Sequence, residues 1–182
     1  MKLLFLALIL PIILLGCISQ QITEPEIEEE ISFESEYSLI IQKEGNFDFN
    51  SLDDINNFGN FLNEKSESFE NNTDSDSLAI LKFINFRMNF LEVQRNVLLL
   101  EEIVSEDLTC DEEEKIIEGI NYVDETIANI EATINSIEDF NSTFPEYLNK
   151  TRISQETIEN LEFSKEESKE IKQAFTTELE KC

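Results

Sequence analysis

Residues 116–137 read IIEGINYVDETIANIEATINSI, and this stretch decides the fold. Seven apolar residues recur in it at steps of 4, 3, 4, 3, 4 and 3: Ile116, Ile120, Val123, Ile127, Ile130, Ile134 and Ile137. Alternating steps of three and four keep side chains on one stripe of an α-helix. The other positions are mostly acidic or polar. A β-branched stripe with this coiled-coil period must lie against another helix. Two arrangements satisfy it: packing in cis on the preceding segment, or self-association of two copies through the 116–137 seam.

The preceding segment supplies the cis partner. Between residues 78 and 108 lie Ile80, Leu81, Phe83, Ile84, Phe86, Met88, Phe90, Leu91, Val93, Val97, Leu98, Leu100, Ile103 and Val104. They cover most faces of one helix, and a helix apolar nearly all round belongs in the middle of a bundle. Lys82, Arg87, Glu92 and Arg95 interrupt it, so it is not read as a membrane span. Upstream, Ser51 with Asp54 resembles a capping box. Leu52, Ile55, Phe58, Leu62 and Phe69 follow it at near-helical spacing. Thr109 with Glu112 forms a second box. Downstream, Ile158, Leu161, Ile171, Phe175 and Leu179 give a final helix from about residue 154 one apolar face. Residues 33–44 read as a short helix, and 141–153 as a connection holding one helical turn near Pro145. The expected fold is therefore all-α: an antiparallel helical bundle of three to four main helices with a coiled-coil-like heptad seam.

Ahead of this domain, Lys2 precedes an apolar run, Leu3 to Leu15, that closes on Leu14-Leu15-Gly16-Cys17. A positive start, a short apolar core and a small residue before a cut describe a secretory signal. The cysteine makes the segment resemble the signal of a prokaryotic lipoprotein, bacterial or archaeal, although Leu15 stands where a smaller residue is commoner. An uncleaved span is the alternative, but it needs about 20 uninterrupted apolar residues. The run here is shorter and contains Pro11 and Gly16. The resemblance covers about a tenth of the chain and concerns targeting alone. It implies cleavage before Cys17, lipid on Cys17 with at least two acyl chains such as palmitate, and anchoring to the outer face of the cell membrane. One acyl chain alone holds a protein only marginally.

The organisation expected is a signal peptide at 1–16, a lipidated N-terminus and acidic linker at 17–32, and a helical domain at 33–182. The linker carries Pro25 and the run Glu28-Glu29-Glu30. As a flexible coil, residues 18–32 have a root-mean-square reach of roughly 20 Å. The whole chain holds 13 basic and 40 acidic residues, for a net charge of -27. Removing Lys2 with the signal leaves 12 basic residues and a net charge of -28. Such a field repels nucleic acid and anionic headgroups. Partners expected are the membrane, through the anchor, and an envelope protein or cationic ligand.

With Cys17 lipidated, Cys110 and Cys182 remain, an even count that favours a disulfide in an exported chain. Geometry agrees: residues 111–139 rise about 43 Å as a helix and 154–181 return about 42 Å. Both cysteines thus come back to one end of the bundle. The bond would close a loop of about 73 residues, worth roughly 4 kcal/mol in the chain-entropy model.

Chemistry is notable for what is missing. The chain has no His and no Trp, which removes Ser-His and Cys-His nucleophile pairs and Glu-x-x-His iron sites. No glycine-rich phosphate loop occurs. No catalytic, cofactor-binding or metal-binding residue is expected. Asn72-x-Asp74-x-Asp76 imitates the start of a calcium loop, yet Ser77 stands where its glycine belongs and Phe83 where its closing glutamate belongs. A turn leading into a helix explains it better. Asn71, Asn141 and Asn149 head Asn-x-Thr triplets and are candidate glycosylation acceptors, at about the frequency that 17 asparagines give by chance. Three functional classes follow. The first is a non-catalytic interaction or structural module of the cell envelope. The second is a small-ligand-binding or sensing bundle whose Phe-rich segment 83–90 lines a pocket. The third is an envelope enzyme working with carboxylates alone.

Overall fold

A computed structural model describes residues 32–104 and 110–182, the side chain of Asp111 excepted. The signal segment 1–16, Cys17, the linker up to residue 31 and the capping residue Thr109 lie outside the described residues. The described residues form an all-α helical bundle. Its helices are α1 (Phe33–Glu44), α2 (Leu52–Phe69), α3 (Ser75–Val104), α4 (Glu113–Thr143) and α5 (Gln155–Lys181). Tight 3-10 turns occupy Cys110–Glu112 and Pro145–Lys150. No strand occurs among the described residues.

Helix starts follow the local sequence. A helix leaves its first N–H groups unpaired, and Ser or Asp oxygens accept from them. Ser32 Oγ accepts from Ser35 N at 3.3 Å and Ser51 Oγ from Asp54 N at 3.4 Å. The box expected at Ser51 is only half made, because Asp54 Oδ2 accepts instead from Asp48 N at 2.8 Å. The reciprocal box forms at the last helix, where Ser154 and Thr157 cap each other's N–H groups. Cys110–Glu112 is a 3-10 turn, so α4 begins at Glu113, later than the sequence indicates. The connection expected at 141–153 is shorter than the reading: α4 continues to Thr143, and Pro145 opens the second 3-10 turn. Proline's fixed φ and missing N–H suit that first position.

The chain divides into two compact units. The first comprises the described residues up to Asn85 with Phe140–Arg152. Aromatic rings dominate its core. Phe33 is buried against Tyr147, Tyr37 and Phe140, with ring centroids 4.4, 5.8 and 6.1 Å away. A second group centres on Phe58, which Phe47, Phe49 and Phe61 surround at 5.3 to 5.9 Å. Ile40, Leu62, Ile80 and Ile84 complete the interior. Lys65 on α2 meets Glu36 on α1 at 2.8 Å.

The second unit comprises Phe86–Asp139 with Ile153–Cys182. Three helical segments pack antiparallel in it. Asn89 Nδ2 on α3 donates to Ser136 Oγ on α4 at 3.0 Å, and Lys172 on α5 meets Asp124 on α4 at 2.6 Å. Leu100, Ile103, Ile116, Val123 and Phe175 form one core cluster.

The seam of α4 lies against its neighbours within the chain, with one change from the sequence reading. Ile116, Val123, Ile130 and Ile137 are almost wholly buried. Of the positions that alternate with them, Ile134 is buried as expected, Ile120 and Ile127 pack on the core only half-buried, and Gly119, Thr126 and Thr133 are buried beside them. A helix packed between two neighbours turns a wider face inward than a two-stranded stripe does. Small residues on that face let α5 approach closely. A Cβ added at Gly119 would stand 2.8 Å from Cζ of Phe175. Gly119→Val is therefore expected to lower stability by about 1–3 kcal/mol through overpacking. Combining it with Phe175→Leu should recover part of the loss, as measured by thermal or urea unfolding followed by circular dichroism.

Candidate functional site

The described fold opens at Ser32 and Phe33. Three sequence-distant groups converge there, all in the first unit. Phe33 N donates to Asp76 Oδ2 at 3.0 Å. Tyr147 Oη donates to the other oxygen of the same carboxylate, Asp76 Oδ1. Lys150 Nζ reaches Glu34 Oε1 at 2.6 Å and lies 5.2 Å from the centre of the Tyr147 ring. Nearby, Tyr37 Oη accepts from Arg152 N at 3.0 Å. The first turn of α1 is thus clasped to the start of α3 and to the 3-10 turn at 145–150.

The electrostatics favour a fixed clasp over acid–base work. The hydrogen bond to the Asp76 carboxylate, helped by burial, raises the Tyr147 phenol above its ordinary pKa. A phenol held that way stays protonated at neutral pH and acts as a donor. Hydrogen bonding to Glu34 likewise raises Lys150, which stays charged. Asp76 carries no sequence signal for this role beyond its place in the imitation calcium loop. Its partners are 43 and 71 residues away.

That loop pattern is taken up by ordinary helix chemistry. Asp74 Oδ1 accepts from Ser77 N at 2.8 Å and its Oδ2 from Ser77 Oγ at 2.7 Å. The Ser77 N–H lowers the Asp74 pKa, as expected for a carboxylate capping a helix. Asn72 Nδ2 donates to the same Ser77 hydroxyl. Among the described residues no group of three or more carboxylate or thiol side chains converges in a way that could hold a metal ion.

The Phe-rich segment is core. Phe83, Phe86 and Phe90 are all buried. In the second unit the Arg87 guanidinium covers the rings of Phe86 and Phe90, at 5.6 and 5.3 Å from their centres. Of the three Asn-x-Thr triplets, Asn71 and Asn149 are exposed. Asn141 lies within the last turn of α4, half-buried, with its side-chain oxygen sequestered. The sequence pattern alone does not separate these cases.

At the far end of α5, Cys110 and Cys182 are joined as a disulfide with their Cα atoms 5.1 Å apart. The return of both helices over matched lengths produces this meeting. No helix among the described residues is long and apolar enough to cross a membrane. No protein-family model matches the chain, and neither the curated proteins nor the solved structures contain a match.

The clasp gives a pH dependence whose sign is fixed. Tyr147 has a folded pKa above its unfolded value, so its contribution is complete below about pH 10 and falls as pH rises through the folded value. Asp76→Asn should move the Tyr147 titration back toward ordinary phenol behaviour in an ultraviolet titration. It should also loosen α1, read as faster amide hydrogen exchange across residues 33–44.

Proposed function

We propose that this chain is an extracytoplasmic lipoprotein. In this reading it is cleaved before Cys17, lipidated there, and anchored to the outer face of the cell membrane. Its helical part acts as a non-catalytic interaction or structural module of the cell envelope. The observation that carries the reading is the division of the three cysteines. One ends the apolar N-terminal segment in the frame Leu-Leu-Gly-Cys, while the other two, 72 residues apart, meet each other. Disulfides persist outside the reducing cytoplasm, which agrees with export. A chain arranged this way has one cysteine left for lipid.

The clasp supports the same reading. Tension on a membrane linker would enter the fold at Ser32 and Phe33. There a buried ring, a backbone bond to Asp76 and the Glu34–Lys150 pair share it. The net charge of -28 after cleavage holds the helical part away from anionic headgroups and favours a partner with a cationic or neutral face. The absence of His and the use of Asp74, Asp76 and Tyr147 in helix caps and the clasp favour binding over catalysis.

Intact mass of the membrane-extracted protein, with alkylation before and after reduction, tests the reading. The expected product lacks residues 1–16, carries added lipid, and takes up alkylating reagent only after reduction. An unprocessed mass with three free thiols would overturn it. Cys110→Ser should leave Cys182 open to alkylation. On the chain-entropy scale for a loop of this length it should cost roughly 4 kcal/mol in chemical unfolding.

A further inference from the structure

The interior of the second unit is unlike that of the first. Asn96, Thr126, Thr133, Thr157, Ser164 and Ser168 are buried polar side chains of the second unit, against Ser77 in the first. Three of them lie at one level. Gly119 packs on Phe175, and counting one heptad along both antiparallel helices from that contact sets Thr126 at the level of Ser168. Asn89 on α3 bonds to Ala132 and Ser136 on α4, at 3.5 and 3.0 Å. One heptad further, Asn96 stands opposite residues 125–129. Asn96, Thr126 and Ser168 therefore share a layer to within about one residue's rise, ~1.5 Å.

The polar atoms of this layer are unbalanced. Asn96 is only 2% exposed, and among the described residues no acceptor reaches its Nδ2. The Thr126 hydroxyl donates to Tyr122 O at 2.7 Å, and the Ser168 hydroxyl to Ser164 O at 2.8 Å. Each hydroxyl has used its one proton on its own helix and keeps lone pairs to offer. A donor without an acceptor, buried at this depth, loses its hydration without compensation. The layer also holds small side chains, whereas Phe175 one heptad away on α5 fills its own level.

We propose that a bound water molecule occupies this layer, accepting from Asn96 Nδ2 and donating to Thr126 Oγ1 and Ser168 Oγ. Three polar partners is the usual complement of a buried water. Water fits the chemistry because the site asks its guest both to accept and to donate. An anion could only accept, and the cations nearest in sequence, Arg95 and Lys169, are exposed and paired with Glu92 and Glu166 on their own helices. A cation could not satisfy the amide donor. The hydrated layer also fixes register, since a one-heptad slip of α5 on α4 would drive Phe175 against Thr126 and leave Asn96 without its guest.

Oxygen-17 relaxation dispersion on the folded chain, with water-to-amide cross-relaxation at the Asn96 side chain, tests the proposal. A long-lived water signal is expected in the native protein, with a cross-peak to the Asn96 amide protons. Asn96→Leu should abolish that water's contribution while helicity is retained. Should that variant fail to fold, Thr126→Val with Ser168→Ala removes the acceptors, leaves the amide, and should cause the same loss. The proposal is overturned if the native protein shows no cross-peak at Asn96. It is equally overturned if the dispersion amplitude is unchanged in whichever variant folds.

Discussion

The structure of the second unit depends on covering one face of α4. Ile116, Val123, Ile130 and Ile137 run along it at seven-residue intervals, and each is nearly or wholly removed from water. Burying such side chains contributes roughly 1.5–3 kcal/mol apiece relative to leaving them exposed. That sum cannot be recovered by α4 alone, so α3 and α5 must lie against it. Gly119 sets how near α5 comes, because any Cβ there would meet the Phe175 ring. The disulfide at Cys110 and Cys182 then ties the two ends that this packing has already brought together.

Charge acts as a constraint of a different kind. Forty acidic residues share thirteen basic ones. Several basic side chains answer a neighbour three positions away on the same helix, as in Lys169 with Glu166 and Lys181 with Glu178. Exposed pairs of that sort contribute little. Others join separate elements: Lys65 with Glu36, Lys150 with Glu34, and Lys172 with Asp124. Two of those three fasten α1, the first described helix. Lys65 and Lys150 thus tie the first turn of α1 to α2 and to the 3-10 turn at 145–150.

Much of this was legible in residue spacing. The heptad steps of α4 predict a helix that needs a partner, and the apolar circumference of 78–108 predicts where that partner is. Matched lengths of the last two helices predict the meeting of Cys110 and Cys182. The candidate site was not legible in the same way. Asp76 reads as part of a turn, Tyr147 as part of a connection, and Phe33 as the start of a short helix. Their convergence joins positions 43 to 71 residues apart. Periodicity reports only the side of its own helix on which a residue lies.

The sequence by itself determined the main helices, the serine that opens α2, the excess of acidic residues and the N-terminal signal pattern, because each depends on residues within a few turns of one another. The tertiary structure alone decided which members of the α4 face are buried. Ile134 is buried as its spacing predicts, but Ile120 and Ile127 lie at the margin of the packed face, half-buried, while Gly119, Thr126 and Thr133 lie inside it. The physical reason is steric: two neighbouring helices can approach α4 closely only over small side chains. A linear pattern ranks residues by hydrophobicity, whereas a packed interior selects them by volume and by the hydrogen bonds left to satisfy.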